Sequence, residues 1–328
     1  MNKIRRISPL WWPVLALLSP VLAPLLLIEN RRFSKNRDRA SQVNQERIRK
    51  AKTLELPEVE FVELTVLVEA KAEEGYLGEP GVSYLFRTNL GSLIYDCALG
   101  SGRQVLAHNA VKLGVSLDKV DAVVISHMHL DHTGGTMKGV NVPEELGRPA
   151  GKTCFLPDKG EAEGFNTVLV EEPRMLAAGI GSTGPLARSI FGPLGLTEEQ
   201  ALIAKIKGKG LAIFTGCGHP TIEVILDMVS SLSHEPIYAL GGGFHFPVTG
   251  SRMSFAGIQI QMIGGTGKPP WQRITEEDLD RTIATFNKAA PKNVYLSPHD
   301  TCDYALKHFA ETLNADTHIL KAGATYRL

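Results

Sequence analysis

Four side chains of the types that bind metal ions lie within six positions of the segment 121–135, DAVVISHMHLDHTGG. They are His127, His129, Asp131 and His132, and they closely follow the apolar stretch AVVI. His127 and His129 are two residues apart, so in extended backbone they point to the same side, whereas Asp131 and His132 on the following turn can face a second ion. Imidazole nitrogens and carboxylate oxygens suit Zn²⁺, Mn²⁺ or iron. The spacing therefore predicts a metal centre at the end of a buried strand.

Three further histidines each follow an apolar run elsewhere in the chain. His219 comes after KGLAIFTG and two residues after Cys217, His245 ends EPIYALGGGFH, and His299 ends KNVYLSPH and precedes Asp300. A single histidine after a strand is more often structural than functional. Three more at strand ends fit a site along one edge of a sheet. We therefore expect these histidines to join the first cluster.

Short β-type runs alternate with helical stretches after Pro57, which predicts a layered α/β domain. The first three strands, VEFVELTVLVEA, VSYLFRT and SLIYDC, are consecutive, so part of the sheet should be antiparallel. Further strands are expected at DAVVIS, KTCFL, NTVLVE, KGLAIFTG, EPIYALGG and KNVYLS, and helices at QVLAHNAVKLG, LTEEQALIAKI, PTIEVILDMVSSL, ITEEDLDRTIATFNKA and DYALKHFAETL. The Gly- and Pro-rich segment 143–195 is expected to form loops that cover a substrate.

The run H-x-H-x-D-H in ISHMHLDHTGG resembles the signature of the metallo-β-lactamase superfamily. Within that superfamily the chain resembles the branch of hydrolases similar to 7,8-dihydropterin-6-methyl-4-(β-D-ribofuranosyl)-aminobenzene-5′-phosphate synthase. The segments that carry this resemblance extend over about residues 60–328 and include EPGVSYLF, LIYDC, IFTGCGHPTIEVIL, GGGFHF and AGATYRL. The resemblance implies an αββα sandwich with two divalent metal ions. By this likeness His127, His129 and His219 would hold one ion, and Asp131, His132 and His299 the other.

Two features depart from the pattern of the superfamily. No histidine occurs between His132 and His219, so His219 takes the place of a ligand that often comes some fifty residues after the first motif. Cys217 stands in T-G-C where the superfamily often has a bridging aspartate in T-G-D. Cys217 is either a soft ligand or a packed thiol, and the frequent burial of free cysteine favours the packed thiol. Asp300 either contacts a metal or orients His299.

The chemistry implied is metal-assisted hydrolysis. Two ions about 3.5–4 Å apart can share a water and lower its pKa toward ~7, which supplies hydroxide at neutral pH. Asp131 is expected to ligate a metal and orient the nucleophile, and His245 to contact the substrate or deliver a proton. We expect Zn²⁺, with Mn²⁺ or iron as alternatives, and a small phosphorylated, pterin-like or ester substrate. A metal-bearing binding or sensor protein with little turnover is the alternative function, and a di-iron redox enzyme is a third.

Charge is distributed unevenly along the 328 residues. Residues 1–52 hold 12 basic and 3 acidic side chains, whereas residues 53–328 hold 23 basic and 32 acidic ones. An acidic main body is poorly suited to a phosphate backbone, so nucleic acid is not an expected partner. The four cysteines lie far apart with no C-x-x-C pair, which indicates neither a disulfide framework nor a zinc finger.

An uncharged stretch of 20 residues runs from Pro9 to Ile28. As a helix it would span roughly 30 Å, the thickness of the hydrocarbon core of a bilayer. It is interpreted as an uncleaved membrane anchor, and its prolines leave a kinked span, a re-entrant hairpin and an interfacial anchor open. More basic residues follow the stretch than precede it, so the catalytic domain is expected on the cytoplasmic side. The predicted organisation is a membrane anchor over 1–30, a basic linker or helix over 31–56 and a metallo-β-lactamase-like domain over 57–328.

Overall fold

The computed structural model describes residues 5–100 and 104–328. Five α-helices occur within these ranges: α1 (Trp12–Lys50), α2 (Val105–Leu113), α3 (Ile222–Leu232), α4 (Glu276–Ala289) and α5 (Asp303–Thr312). Short 3₁₀ helices lie at Pro9–Trp11, Leu117–Lys119, Glu144–Leu146 and Ile260–Met262.

The strands form two large sheets and three small pairs. In chain order they are β1 (Glu58–Val59), β2 (Glu63–Val68), β3 (Ser83–Thr88), β4 (Gly91–Tyr95), β5 (Ala122–Val124), β6 (Gly139–Val140), β7 (Thr153–Leu156), β8 (Glu161–Ala162), β9 (Asn166–Leu169), β10 (Arg174–Ala177), β11 (Ile180–Ser182), β12 (Leu186–Ser189), β13 (Leu196–Glu199), β14 (Leu202–Ile206), β15 (Gly210–Phe214), β16 (Ile237–Gly242), β17 (Ser254–Phe255), β18 (Ile258–Gln259), β19 (Asn293–Leu296), β20 (Asp316–Ile319) and β21 (Thr325–Arg327).

The first large sheet has the strand order β21-β2-β3-β4-β5-β7-β9, and the second has the order β10-β11-β14-β15-β16-β19-β20, with β1 beside β14. The first sheet is antiparallel from β21 to β4 and parallel from β4 to β9. In the second, β15, β16, β19 and β20 run parallel. The carboxyl ends of parallel strands meet at one edge of a sheet, and this is where the predicted ligands lie.

Packing produces four layers, αββα. Side chains alternate along each strand, so Ala212 and Phe214 of β15 face the core between the two sheets, while Leu211 and Ile213 face α3, α4 and α5. On the other side, α2 covers the first sheet with Leu106 and neighbouring residues. Burial of both faces explains why these strands are near-continuous apolar runs in the sequence. The predicted α/β sandwich is confirmed.

The segment LTEEQALIAKI is not the helix that was predicted. It forms β13 and β14, joined by Gln200 and Ala201. Its Ala, Leu, Glu and Lys residues favour a helix locally, but β14 lies between β11 and β15 in the interior of the second sheet. Leu202 and Ala204 face the inter-sheet core and Ile203 faces the helices. Burial on both faces therefore outweighs local propensity.

The region 143–195 is more regular than the expected loops. Besides the two strands that were predicted there, it contains β8, β10, β11 and β12. The last of these pairs with β13 as a separate hairpin that packs against α1. Much of the segment therefore forms strands rather than loops.

One continuous helix, α1, contains the apolar stretch and most of the basic segment after it. At about 1.5 Å per residue its 39 residues span roughly 58 Å. An 18-residue window has a mean hydropathy of 2.0 and is 0% buried in the structure, so the helix is long and apolar enough to cross a membrane by length and composition. Its carboxyl half packs on the domain through Phe33, Ala40 and Asn44.

The residues before α1 also contact the domain. Ile7 pairs with Ile258 in an isolated antiparallel bridge. The Ser8 amide donates to the carbonyl of Gly257 at 2.9 Å, and the Trp11 indole donates to that of Ala256 at 2.8 Å. Both ends of the apolar stretch are therefore in contact with the same domain.

Candidate metal centre

The predicted ligands, and the predicted catalytic residue His245, lie at the carboxyl ends of four strands from the two sheets. His127 follows β5 of the first sheet. His219, His245 and His299 follow β15, β16 and β19, three adjacent parallel strands of the second sheet. The strand ends of the two sheets face each other, so all of these side chains enter one buried cluster.

Three imidazoles form the first half of the cluster. Nε2 of His219 lies 3.2 Å from Nδ1 of His129. The ring of His127 lies 4.4 Å from that of His129 and 4.9 Å from that of His219, measured between centroids. These are the three residues that the resemblance assigned to one metal ion, and the structure brings them together.

The second half contains Asp131, His132 and His299, and Cys217 lies between them. The sulfur of Cys217 is 3.2 Å from Nε2 of His132 and 3.2 Å from Nε2 of His299. Oδ2 of Asp131 is 3.8 Å from Nε2 of His132. One ligand atom from each of these four residues lies within 4.8 Å of the others, the spacing that a single ion would need.

Cys217 occupies the middle of the whole cluster. Its sulfur also groups with His127 and His219, and with His245 and Asp300, inside the same 4.8 Å limit. Burial raises the pKa of the Cys217 thiol, and the negative charges of Asp300 and Asp131 raise it further. A divalent cation would have the opposite effect and favour the thiolate. The sulfur therefore lies among imidazole nitrogens, within reach of both predicted groups of ligands.

Five histidines each have one ring nitrogen bound by the surrounding protein. Nδ1 of His127 contacts Ser126 Oγ at 2.9 Å, and Nδ1 of His132 contacts Asp96 Oδ2 at 2.7 Å. The other three contacts join His219 Nδ1 to the carbonyl of Gly265 at 3.0 Å, His299 Nδ1 to Ser297 Oγ at 2.5 Å, and His129 Nε2 to Thr197 Oγ1 at 3.2 Å. In each case the other nitrogen is left for the centre of the cluster, which is how histidines are held in metal sites.

One further observation indicates that these side chains suit a metal ion. Nε2 of His127 is buried and makes no hydrogen bond with the described residues. An unsatisfied buried nitrogen is costly, whereas a metal ion would satisfy it. Burial and the neighbouring imidazoles lower the pKa of His127, His219 and His299, so these rings are neutral and can donate a lone pair.

His132 differs from the other histidines in charge. Burial lowers its pKa, but the negative charges of Asp96 and Asp131 outweigh burial and raise the pKa to about 9. Without an ion, His132 therefore carries the positive charge that balances the buried carboxylates. A bound cation would displace its proton and provide the same balance.

His245 lies at the edge of the cluster, with its ring 5.2 Å from that of His219. Its Nε2 lies 3.3 Å from the carbonyls of Gln261 and Gly264, so this nitrogen carries the proton. Nδ1 has no hydrogen-bond partner among the described residues and is 3.9 Å from Oδ2 of Asp300. Burial lowers the pKa of His245 to about 4, which leaves the ring neutral with its lone pair toward the site.

Asp300 is tied mainly to backbone and hydroxyl donors. Its Oδ2 accepts from the amide of His245 at 3.0 Å, and its Oδ1 accepts from Thr301 Oγ1 at 2.8 Å. Oδ2 also lies 3.8 Å from Nε2 of His299. Asp300 therefore supports the backbone at His245 and remains within reach of the cluster.

The side chains behind the ligands were not identified from the sequence. Asp96 accepts from both the amide and the hydroxyl of Ser126, and Glu69 accepts from the hydroxyl of Ser297. Ser126 immediately precedes His127, and Ser297 lies two residues before His299. The signal in the sequence for these contacts is a serine at the end of a strand, next to a predicted ligand.

Glu199 was missed because its segment was predicted as a helix. Its Oε1 accepts from the amides of Gly216, Cys217 and Gly218 at 2.8–3.1 Å, and its Oε2 accepts from the amide of His219 at 2.8 Å. Four donors on one carboxylate hold the loop that carries Cys217 and His219. Burial raises the pKa of Glu199 to about 7, although the amides of Gly218 and His219 favour its charged form.

A cavity of about 430 Å³ opens beside His219 and His245. Its other walls come from the amino end of α3, the loop 264–268, residues of α4 and Arg188 of β12. Concave sites of this size take small molecules. The cavity therefore gives a small ligand access to one side of the histidine cluster.

Comparison with known proteins supports the resemblance inferred from the first histidine motif. Residues 76–226 match the family model described as Metallo-beta-lactamase superfamily. The 7,8-dihydropterin-6-methyl-4-(beta-D-ribofuranosyl)-aminobenzene-5'-phosphate synthase of Methanocaldococcus jannaschii is 24% identical over 237 residues, which cover 58% of this chain and 80% of that protein. A crystal structure described as a metal-dependent hydrolase of the beta-lactamase superfamily has a TM-score of 0.57 at 20% identity and covers 81% of this chain and 98% of that chain. The fold is thus shared with that superfamily.

Proposed function

We propose that this chain, which has the metallo-β-lactamase fold, is a metal-dependent hydrolase with a binuclear centre. Its substrate would be a small phosphorylated, pterin-like or ester compound. One observation carries the proposal: five imidazoles each have one nitrogen directed into the cluster and the other bound by the protein. Four of them converge on Cys217, and the fifth, His129, contacts His219. Such preorganisation supports a metal site more directly than it supports a structural histidine cluster.

Two groups of residues would hold the ions. His127, His129 and His219 would bind one, and Asp131, His132 and His299 the other. Cys217 lies within ligand distance of members of both groups. We expect Zn²⁺, because nitrogen, sulfur and carboxylate donors together suit it, with Mn²⁺ or iron as alternatives. When bound, such ions supply Lewis acidity and lower the pKa of a coordinated water toward ~7.

The chain's own residues position the reactants. Asp131 contacts His132 and can orient a nucleophilic water through its second oxygen. The neutral His245 lies between the histidine cluster and the cavity, where it can contact a substrate or accept a proton at Nδ1. Buried acceptors and donors of this kind exclude bulk water and fix the reacting group.

The N-terminal helix would attach the enzyme to a membrane. The division into an anchor over 1–30, a basic segment over 31–56 and a catalytic domain over 57–328 is part of this proposal. The excess of basic residues after the apolar stretch favours the cytoplasmic side for the catalytic domain. The partners would then be a lipid bilayer and a small-molecule substrate.

The test is the metal content per chain, measured by elemental analysis on protein purified without added metal. We expect close to two equivalents for the wild type, about one for His132→Ala, and two for His308→Ala. His308 is a matched control because it pairs with Asp280 at the surface, away from the cluster.

Turnover is then assayed on phosphomonoesters, phosphodiesters and carboxylic esters. Two equivalents with turnover that falls in His132→Ala would support the hydrolase. One equivalent or less, unchanged in the variant, would contradict the binuclear centre. Metal without turnover on any of these substrates would favour a binding or sensor protein.

A further inference from the structure

The cavity beside the histidine cluster has a positively charged wall. Arg188, Lys268 and Arg281 line it together with His219 and His245. Lys268 and Arg281 share the single carboxylate of Asp278, so each already has an ion-pair partner. Arg188 pairs with Thr197 through the β12–β13 ladder, but its side chain forms no hydrogen bond and no ion pair within 4.0 Å with the described residues. It therefore presents five N–H donors that the protein does not use.

Two glycines of the loop 264–268 bring Arg188 close to the histidine cluster. A Cβ on Gly267 would lie 2.3 Å from Nε and 2.4 Å from Nη2 of Arg188, and one on Gly265 would lie 2.4 Å from Cε1 of His245. Both glycines have positive φ, +63° and +81°. Their Cα atoms are at most about 7 Å apart, since they are two residues apart in the chain. One short loop thus sets the spacing between the guanidinium and the imidazole.

The amino end of α3 faces the same cavity. Thr221, its N-cap residue, makes no side-chain cap hydrogen bond, and Thr221, Ile222 and Glu223 line the cavity. The first turn of a helix carries amides without helical partners and a partial positive charge, which together favour an anion. Glu223 accepts from Thr285 Oγ1 at 3.2 Å, so its carboxylate is directed toward α4.

The long helix α1 positions Arg188. Nδ2 of Asn44 donates to the carbonyl of Ala187 at 2.9 Å, and Oδ1 of Asn44 accepts from the amide of Ala187 at 2.7 Å. On the other side of Arg188, Ser189 Oγ donates to the carbonyl of Phe33 at 3.0 Å. The two neighbours of Arg188 are therefore fixed to α1, and the arginine is held on a rigid backbone.

Burial lowers the pKa of the Arg188 guanidinium. The negative charge of Glu223 partly offsets this effect, whereas the positive charge of Arg37 adds to it. Arg188 is thus a partly buried cation with incomplete compensation. An anion in the cavity would supply the negative charge that is missing beside Arg188.

We propose that Arg188 and the first turn of α3 bind a phosphate group of the substrate, while the bond to be hydrolysed lies at the histidine cluster. The inference rests on the proposed hydrolase and deepens it by naming a phosphorylated small molecule as the substrate class. A guanidinium can bind two phosphate oxygens at once, and helix amides can bind a third. The reacting group and the phosphate are then distinct parts of one ligand.

The experiment measures the binding of inorganic phosphate by isothermal titration calorimetry, with acetate as a second ligand. The proteins are the wild type, Arg188→Gln, Arg188→Lys, Arg87→Gln and His132→Ala. Loss of charged hydrogen bonds should weaken phosphate binding at least about tenfold in Arg188→Gln. Arg188→Lys keeps the charge but not the two-point contact, so we expect an intermediate affinity.

The other variants separate this site from the metal centre. Arg87→Gln should bind phosphate within about twofold of the wild type, because Arg87 pairs with Glu63 and does not line the cavity. His132→Ala should also retain phosphate binding, since His132 is not part of the cavity wall. Circular dichroism and the melting temperature of each variant establish that it is folded. Acetate should bind more weakly than phosphate, because it has one negative charge.

Equal affinity for phosphate in Arg188→Gln and the wild type would overturn the inference, and so would the absence of phosphate binding to the wild type. Binding that is lost only in His132→Ala would place phosphate at the metal centre instead and would also overturn it. Binding needs no turnover. Phosphate binding that depends on Arg188 in a protein without hydrolase activity would thus contradict the proposed function and leave the subsite intact.

Discussion

Oδ2 of Asp96 lies 2.7 Å from Nδ1 of His132, and both side chains are completely buried. The carboxylate accepts from Nδ1 and directs Nε2 toward Cys217 and Asp131. A carboxylate behind a ligand histidine fixes the tautomer of the ring and raises its basicity. Asp96 is thus part of the proposed centre although it does not face the ions.

Replacement of Asp96 should weaken metal binding without removing a ligand. In Asp96→Asn we expect the affinity for the ion at His132 to fall about 10–100-fold, because the amide cannot supply the charge. A competition titration with a chelator measures this affinity. Asp118→Asn, an exposed aspartate, is the control. Equal affinities in the wild type and Asp96→Asn would show that Asp96 has no role in the centre.

Cys217 should give a spectroscopic signature if its sulfur is a ligand. The protein substituted with Co²⁺ is expected to show sulfur-to-cobalt charge-transfer absorption that disappears in Cys217→Ser. Cys302→Ser should retain the absorption, since Cys302 is a buried thiol that contacts Thr249 outside the cluster. Absorption that persists in Cys217→Ser would show that Cys217 is a packed thiol and not a ligand.

Glu199→Gln should destabilise the loop that carries Cys217 and His219. The glutamine NH₂ group would face the amide of His219, which now donates to Oε2 at 2.8 Å, so two donors would meet. We expect the free energy of unfolding to fall by about 1–3 kcal/mol. Urea unfolding measures it, with exposed Glu163→Gln as a control that should change by less than ~0.5 kcal/mol. A change in Glu199→Gln no larger than the control would contradict the proposed support.

Glu69 should make stability depend on pH. Burial raises its pKa from 4.5 to about 7, against the hydrogen bonds from Ser297 and Tyr84 that favour the charged form. A raised folded pKa means that the folded state holds its proton more tightly than the unfolded state. The stability that this proton contributes is complete below pH ~4.5 and is lost as pH rises through about 7.

In Glu69→Gln this loss should be absent. The free energy of unfolding of the variant should therefore rise relative to that of the wild type between pH 5 and pH 8. Urea unfolding at both values, with a chelator present, measures the difference. Glu73→Gln is the control, because Glu73 pairs with Lys321 at the surface. Parallel pH profiles for the wild type and Glu69→Gln would refute the prediction.

The strands that carry the histidines were predictable because each is an apolar run that ends three to five residues before a histidine. That pattern depends only on the buried position of parallel strands. The layered α/β class followed from the alternation of such runs with helical stretches. The convergence of His127, His219 and His299 could therefore be predicted from the sequence.

The supporting side chains could not be predicted from the sequence, because their role depends on tertiary contacts. Asp96 and His132 are 36 residues apart, and Glu69 and Ser297 are 228 apart. Glu199 was hidden by a helical local composition, which sheet pairing of the next strand overrides. Arg188 carries no motif, and only the packing of α1, β12 and the loop 264–268 brings it to the cavity wall.

The pairing of Ile7 with Ile258 has a consequence for how a membrane would affect the surroundings of the histidine cluster. A chain that crosses a bilayer over residues 9–28 carries Ile7 to the face opposite the α/β domain, so crossing and this pairing exclude each other. Arg6 also donates to the carbonyls of Pro270 and Gln272, just beyond the loop 264–268. Insertion of the amino end would therefore break the contacts on both sides of this loop, whereas an in-plane helix would keep them. A disulfide between cysteines introduced at 7 and 258 that forms in detergent and not in membranes would identify the crossing state.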